Sequence, residues 1–589
     1  MAEHVPNVIT ESKVNEPPIS RIIMERVQEH IDYGGQFVRN ARRNDRMYRA
    51  LGEERRAAEP GRPRANTGSL EYHRNVESVT SAVDAVHWGD DPWFMPWSNE
   101  SRSDVIEASQ STQSIMRQQH EDMGLRSKMM MSMRSGLNHG TCIAYWPWKF
   151  RERMIDVGPR FTKGVVFDGP NWKHVPIWRF HFPPRTMEID DMLWASMEYE
   201  ITREELSGLV ENIRLAKAPG TRTRDLNTLD LKGKFTSEGG EVSENIRLNQ
   251  GYFTSRDNNL LHVDDYWGIH PTMKNPRDPN SKKALPLIWR ILIVNGREWI
   301  VQMVNPYAHG RLPFGACRFL PNEEDFYGIG MGDILADKYI AINERRNLMT
   351  DIVTMALFGM WQRTGGIPGK VTSRVRLFPG KIFNSVIDGV MAQLHVDTSV
   401  LRPGMALDSI DIEEMRATSG ASSNVQGIKQ GGTATEIRNI ATESARKIAT
   451  YAIIFSAEMS KKFLETQAEL NEQFLPFEFG VSITGEDGVV RGQLNSKQNL
   501  LRRAQFQMKV ATDLEFRRPL LRNINQSIQQ LAQVVQLNPR LEPVIMPAIL
   551  QLTKKTLILY GENASQLVNS ARIQQILSQP PAARMPVPA

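Results

Sequence analysis

An α+β fold of several packed units is what this sequence predicts, on three observations. Apolar residues recur at helical spacing over long stretches near both ends. Short β-type runs crowd residues 160–330, and at 589 residues the chain is longer than one hydrophobic core usually organises. With 40% hydrophobic and 24% charged residues, the composition is that of an ordinary globular protein and excludes fibrous or wholly disordered chains. Lys+Arg number 72 against 67 Asp+Glu, a net charge of +5. That is less basic than a tight nucleic-acid clamp. Cys142 and Cys317 alone supply neither a disulfide framework nor a cysteine zinc site, so reduced, cytosolic folding is the simplest expectation. No apolar run follows Glu3, His4, Glu11 and Lys13, and nowhere do about 18 apolar residues run together; neither a signal peptide nor a membrane anchor is expected.

In chain order, residues 1–20 read as a flexible, proline-broken tail. Met24, Val27, Ile31, Phe37, Val38 and Met47 predict an amphipathic helix from Ile22 to about Arg56, and Leu70 to Val86 a second. Asp91 to Trp97 is a proline-bounded aromatic break, Ser103 to Gly136 is helical again, and Cys142 to Trp146 is a strand. Strands follow at Gly164–Phe167, Val175–Phe182, Leu193–Ile201 and His262–Ile269. Leu287–Val304 reads as a hairpin, because Asn295-Gly296 can supply the positive φ angles of a type I′ turn. Residues 217–257 carry no core pattern and read as a surface insertion. Ile334 to about Leu357 is an apolar-periodic helix with Asp333 placed at its start. Gly359 to Ser409 is β-like and turn-rich, and Asp411 to Ala417 a short helix. Residues 419–432 form a nearly uncharged loop, and Thr433 and Glu436 have capping-box spacing before a helix reaching about Phe474, roughly 60 Å long. Phe477–Thr484 is a strand. Leu494–Leu577 is glutamine-rich, helical and basic; from 494 onward there are twelve Lys/Arg and four Asp/Glu. Residues 579–589 are a second flexible tail.

The chemistry-bearing motifs fail on inspection. Gly369-Lys370 lacks both the upstream glycine and the following Ser/Thr of a phosphate loop, having Thr364 and Val371 there. Gly328-Ile329-Gly330-Met331-Gly332 departs from the dinucleotide spacing and reads as a hinge. His139 and Cys142 have ligand-like separation without a second pair, so packing is favoured, and the twelve histidines are scattered. Asp190-Asp191 and Asp264-Asp265 point to opposite faces if on strands, and solvated turns are expected for them. Met129–Met131, Met133 and Trp88, Trp93, Trp97, Trp146, Trp148, Trp172 and Trp178 suit a core or a subunit interface. No catalytic residue, cofactor or metal ligand is predicted.

The order of these motifs carries a resemblance. Trp93-Phe94-Met95-Pro96, Gly140 to Trp146, Phe167-Asp168-Gly169-Pro170 leading to Val175-Pro176, the hairpin with Asn305-Pro306 and Leu312-Pro313-Phe314, Tyr327-Gly328-Ile329-Gly330, and Gly431 to Glu436 before a very long helix are together similar to the portal (head-to-tail connector) proteins of tailed bacteriophages, over most of residues 70–480. The resemblance implies a non-enzymatic, ring-forming fold: an α/β wing at 21–330 with the insertion 217–257, a stem helix at 331–357, a small β-containing clip at 358–410, a second stem segment at 411–418, a tunnel loop at 419–432, a long spine helix and returning strand at 433–493, and a helical crown at 494–578. It implies a twelve-subunit channel at a capsid vertex of the virion, assembled in host cytoplasm. Its partners would be double-stranded DNA, the terminase large subunit, head-completion and tail adaptor proteins, scaffold and major capsid protein, with no membrane. The tunnel loop would present Ser422, Ser423, Asn424, Gln426, Lys429 and Gln430. With one cation among polar neutral groups it suits a sliding duplex that must not be gripped. Arg363, Lys370, Arg374, Arg376 and Lys381 would be a basic clip surface meeting terminase, adaptors or DNA. Two other expectations compete: a basic nucleic-acid-binding structural protein acting through its C-terminal helices, and an enzyme with an unrecognised site.

Overall fold

The computed structural model describes residues 18–51, 65–89, 92–97, 103–156, 161–215, 221–224, 226, 260–270, 287–358, 360–364, 382–385, 392–394, 397–421, 434–484, 490–496, 500 and 505–508. It is mixed helix and strand, as the α+β expectation requires. The chain divides into two compact units, Met1–Asp84 with Pro96–Phe506 and Ala85–Met95 with Gln507–Ala589. In the second, Trp88 packs on Trp93 with ring centroids 4.6 Å apart. Residues 1–17, the C-terminal tail and the crown beyond 508 lie outside the described residues.

The chain runs through α1 (Ile19–Tyr48), α2 (Glu71–His87), β1 (Phe94–Trp97), α3 (Ser103–Met123) and α4 (Leu125–His139). Gly124, at φ +62°, divides what the spacing predicts as a single helical stretch. Next come β2 (Thr141–Tyr145), β3 (Trp148–Asp156), β4 (Phe161–Pro170), β5 (Lys173–Val175), β6 (Phe180–His181), β7 (Trp194–Thr202), α5 (Arg203–Leu215), β8 (Arg222–Thr223), β9 (Leu260–Ile269), β10 (Ile288–Val294), β11 (Glu298–Val304) and β12 (Phe314–Arg318).

A six-stranded antiparallel sheet in the order β6-β7-β9-β10-β11-β8 organises the first unit. Its β10/β11 hairpin turns on Asn295 (φ +51°) and Gly296 (φ +65°), as the dipeptide predicts. Strand alternation gives the sheet two apolar faces. On one, Ile23 and Val27 of α1 pack against Trp194, Tyr266, Trp289, Ile291 and Ile293. On the other, Leu206, Val210 and Ile213 of α5 pack against Val263, Leu292 and Val301. The expectation of a pure surface insertion at 217–257 needs correcting at its start. Arg222–Thr223 extends the sheet beside β11, and Leu226 joins the buried core. Residues 227–257 lie outside the described residues.

A three-stranded sheet, β12-β2-β5, sets Cys142 directly opposite Cys317, both buried and free. Burial beside Cys142 pushes the Cys317 thiol up, consistent with a packed, unreactive pair. The glycine run 328–332 is a close-packed crossing where a hinge is expected: a Cβ on Gly330 would lie 2.4 Å from the Asn138 carbonyl oxygen, and one on Gly328 2.6 Å from that of Gly140.

Then α6 (Met331–Phe358) leads to a small sheet of β13 (Met360–Thr364), β14 (Ile382–Ser385) and β15 (Ala392–Leu394), and α7 (Leu401–Ser419) returns. The expected clip to 410 and the short helix expected over Asp411–Ala417 are therefore corrected: α7 begins at Leu401. The stretch to Ser409 reads as turn-rich in the sequence, yet Pro403 falls in the first helical turn, where proline forfeits no hydrogen bond, and Gly404 lets the helix approach Met349. The long helix is α8 (Ala434–Phe455), a π-helical turn at Ser456–Ser460 and α9 (Lys461–Phe474) in one run. The π turn lies against β12, where Glu458 Oε2 accepts the Arg318 amide at 3.1 Å. The helix ends before β16 (Glu478–Thr484), which pairs with β17 (Val490–Ser496); β18 is Gln505–Met508. Strands at 494–496 and 505–508 replace the helix expected there, because the 478–496 hairpin pairs across to 496.

Candidate functional site

Two places in the first unit carry more polar or apolar chemistry than packing alone requires: the α6/α7 hairpin and the α1 face of the six-stranded sheet.

The hairpin is antiparallel. Near the start of α6, Lys338 Nζ meets Asp411 at 3.1 Å and Glu414 at 2.8 Å. Two turns on, Arg345 spans Asp408 (3.0 Å) and Asp411 (2.7 Å), and Arg346 reaches Asp408 at 2.6 Å. Hydrogen bonding to Arg345, ahead of Lys338, holds the Asp411 carboxyl below its ordinary range. Asn343, Asn347 and Asp351, one turn apart, accept the backbone amides of Ser69, Thr67 and Ala65 at 2.7, 3.0 and 2.7 Å. That ladder moors the extended segment 65–69 along α6. At the head of the hairpin the helix begins at Met331 and not at the expected Ile334, so Asp333 lies within the first turn; it reaches back to the Gly330 amide at 3.0 Å and meets Arg43 at 3.0 Å, where a cap ahead of the helix is expected. Charges are thus spent between the helices, and apolar side chains face outward: Leu357 is 80% exposed, Met405 65%, Ile410 58% and Leu348 55%. Among the described residues no helix is long and apolar enough to cross a membrane. A cleft of about 340 Å³ sits where α6, the end of α7 and α8 meet, lined in part by Met331, Ser419, Lys447 and Tyr451.

Of the residues expected to act, Ser422, Ser423, Asn424, Gln426, Lys429 and Gln430 lie outside the described residues, as do Lys370, Arg374, Arg376 and Lys381. Arg363 lies on the backbone of β13, opposite Asn384 of β14.

What it does assemble was not legible in the sequence. Asp264 and Asp265, expected in a solvated turn, are both wholly buried on β9. They point to opposite faces, as adjacent strand residues must. Asp265 is closed by Arg290, at 2.9 and 2.6 Å, with the guanidinium lying over the Trp267 ring. Asp264 faces α1. Its cross-strand partner is Glu198 of β7, and His262 lies two residues along its own strand, on the same face. Their ligand-type atoms all lie within 4.8 Å of one another. Neither Asp264 oxygen accepts a hydrogen bond, and the His262 Nε2 stands 3.5 Å from Oδ2.

A hydrogen-bonded chain backs Glu198. Tyr327 Oη lies 3.0 Å from His30 Nε2, His30 Nδ1 3.1 Å from His181 Nδ1, and His181 Nε2 2.7 Å from Glu198 Oε1. The chain is satisfied with neutral imidazoles when each group donates toward Glu198 and the carboxylate accepts. Burial, with His181 adding to it, depresses His30 to about 2, so it stays neutral. Burial pushes Glu198 up, but His181, His262 and Arg179 together outweigh it and the carboxyl lies below its ordinary value; burial pushes Asp264 up. Asp190-Asp191, by contrast, is an exposed turn as expected, with Asp190 on Lys462 at 2.8 Å.

Compared with family models and with curated protein sequences, the chain matches none.

Proposed function

We propose that this protein is a portal-type ring channel: copies close around DNA at a capsid vertex, terminase drives the genome in through the ring, and adaptors join it to a tail. It acts by shape and electrostatics, without catalysis. The observation that carries this reading is the α6/α7 hairpin. One helix leads away from a mixed α+β body, a three-stranded sheet intervenes, a second helix returns antiparallel to it, and a long helix follows. That order suits a channel stem with a clip at its end. The outward apolar side chains of Leu348, Leu357, Met405 and Ile410 suit burial against neighbouring copies, because a cyclic heterologous interface covers a different surface on each side of every subunit.

The test is the native mass of the purified chain together with negative-stain imaging. The expected result is a closed ring with a central hole, near twelve times the 67.0 kDa chain, about 0.8 MDa. Leu348→Glu with Ile410→Glu should reduce the ring to subunits that keep their circular dichroism. A monodisperse monomer or dimer across salt conditions overturns the proposal.

A further inference from the structure

We propose that Glu198, His262 and Asp264 bind a divalent transition-metal ion of the zinc type within the six-stranded sheet. Sheet register brings the three together: Glu198 stands opposite Asp264, and His262 shares its face two residues away. A spread of at most 4.8 Å among the ligand atoms matches a single ion, since ligands on opposite sides of one stand about 4–5 Å apart.

The second, independent observation is Asp264 itself. It is 0% exposed, neither carboxylate oxygen accepts a hydrogen bond of ordinary geometry, and its one ion-pair contact among the described residues is His262 Nε2, 3.5 Å from Oδ2. Buried carboxylates are ordinarily closed by donors or by a cation. The neighbouring residue shows what closure looks like in this same strand, because Asp265 has the Arg290 guanidinium on both oxygens. On the opposite face no arginine or lysine reaches Asp264 within ion-pair distance among the described residues; a metal ion would do for Asp264 what Arg290 does for Asp265.

The surroundings are those of a ligand shell. His181 Nε2 holds one Glu198 oxygen at 2.7 Å, and His30 and Tyr327 fix His181 in turn, which leaves the other Glu198 oxygen for a metal. Two carboxylates balance a dication. The imidazole selects zinc, or nickel at second preference, over magnesium and calcium, which prefer oxygen alone. Since Glu198 and His262 are each only 8% exposed, the ion would be taken up during folding and structural in role.

Full-length protein unfolded in denaturant with chelator and refolded by dialysis against zinc chloride should retain one zinc per chain by elemental analysis. Its melting temperature should rise with zinc or nickel chloride and stay put with magnesium chloride. Asp264→Asn and Glu198→Gln should each lower zinc affinity at least tenfold and flatten the thermal response. If Asp264→Asn does not fold, Glu198→Gln and the wild-type stoichiometry decide. Folded wild type that holds neither metal, or zinc content unchanged in folded Glu198→Gln, overturns the site and leaves a proton shared between the carboxylates as the means of closure.

Discussion

The six-stranded sheet and the α6/α7 hairpin are inside out with respect to each other. In the sheet both faces are covered by apolar side chains from α1 and α5, and the charges that enter are buried. In the hairpin the charges line the contact between helices while Leu357, Met405 and Ile410 face out. The difference separates a region whose burial is completed within one chain from a region whose apolar side chains are left exposed, the surface that the proposed ring would cover. It also sets where a mutation is felt: inside the chain for the sheet and, in the proposed ring, in assembly for the hairpin.

The largest effect should come from breaking a buried pair in the sheet. Arg290→Ala strands Asp265, 1% exposed at its side chain, and should cost about 3–5 kcal/mol in chemical denaturation. A loss under about 1 kcal/mol would mean the pair is wetter than its burial indicates, and the contrast with the hairpin would collapse.

An intermediate effect is pH-dependent. His120, buried between α3 and the long helix with Nε2 2.8 Å from Gln467 Oε1, is depressed by burial to about 4 from 6.5. Between those values the unfolded chain binds the extra proton, so this contribution to stability is complete above about pH 6.5 and is lost as pH falls toward 4. The slope is about 1 kcal/mol per pH unit for this group. His120→Asn should remove that part of the slope in urea melts at pH 7 and pH 5; an unchanged slope would show that His120 protonates freely in the folded protein.

The smallest effect belongs to the hairpin. Arg345, 22% exposed at its side chain, bridges Asp408 and Asp411 near solvent, so Arg345→Met should cost about 1 kcal/mol at low salt and less at 0.5 M. A cost equal to that of Arg290→Ala would place the hairpin's charges in the same class as the sheet's and erase the comparison.

Much of the fold was legible because it rests on local rules. Asn295-Gly296 specifies a turn by its φ angles whatever surrounds it, and the apolar spacing of α1, α6 and the long helix needs only its own period. Legibility failed where tertiary contact overrides a local signal. Residues 401–409 belong to a stretch that reads as turn-rich and form the first half of α7; Arg222–Thr223 has no pattern of its own and becomes an edge strand because β11 offers an unpaired edge. Of the sites expected from the sequence, only the Arg363 backbone falls within the described residues, so the loop and clip chemistry rests on the sequence alone.

What the sequence by itself determined is periodicity: where helices and strands run, that Asp264 and Asp265 must face apart, and that neither cysteine belongs to a disulfide framework. Only the tertiary structure decided which distant residues meet. Glu198 and Asp264 are opposed because β7 and β9 are neighbours in the sheet, with α5 and β8 between them in the chain, and Cys142 faces Cys317 because β2 pairs with β12. Strand alternation is a property of one segment, whereas pairing and register depend on the burial of every face at once, and no single segment encodes that.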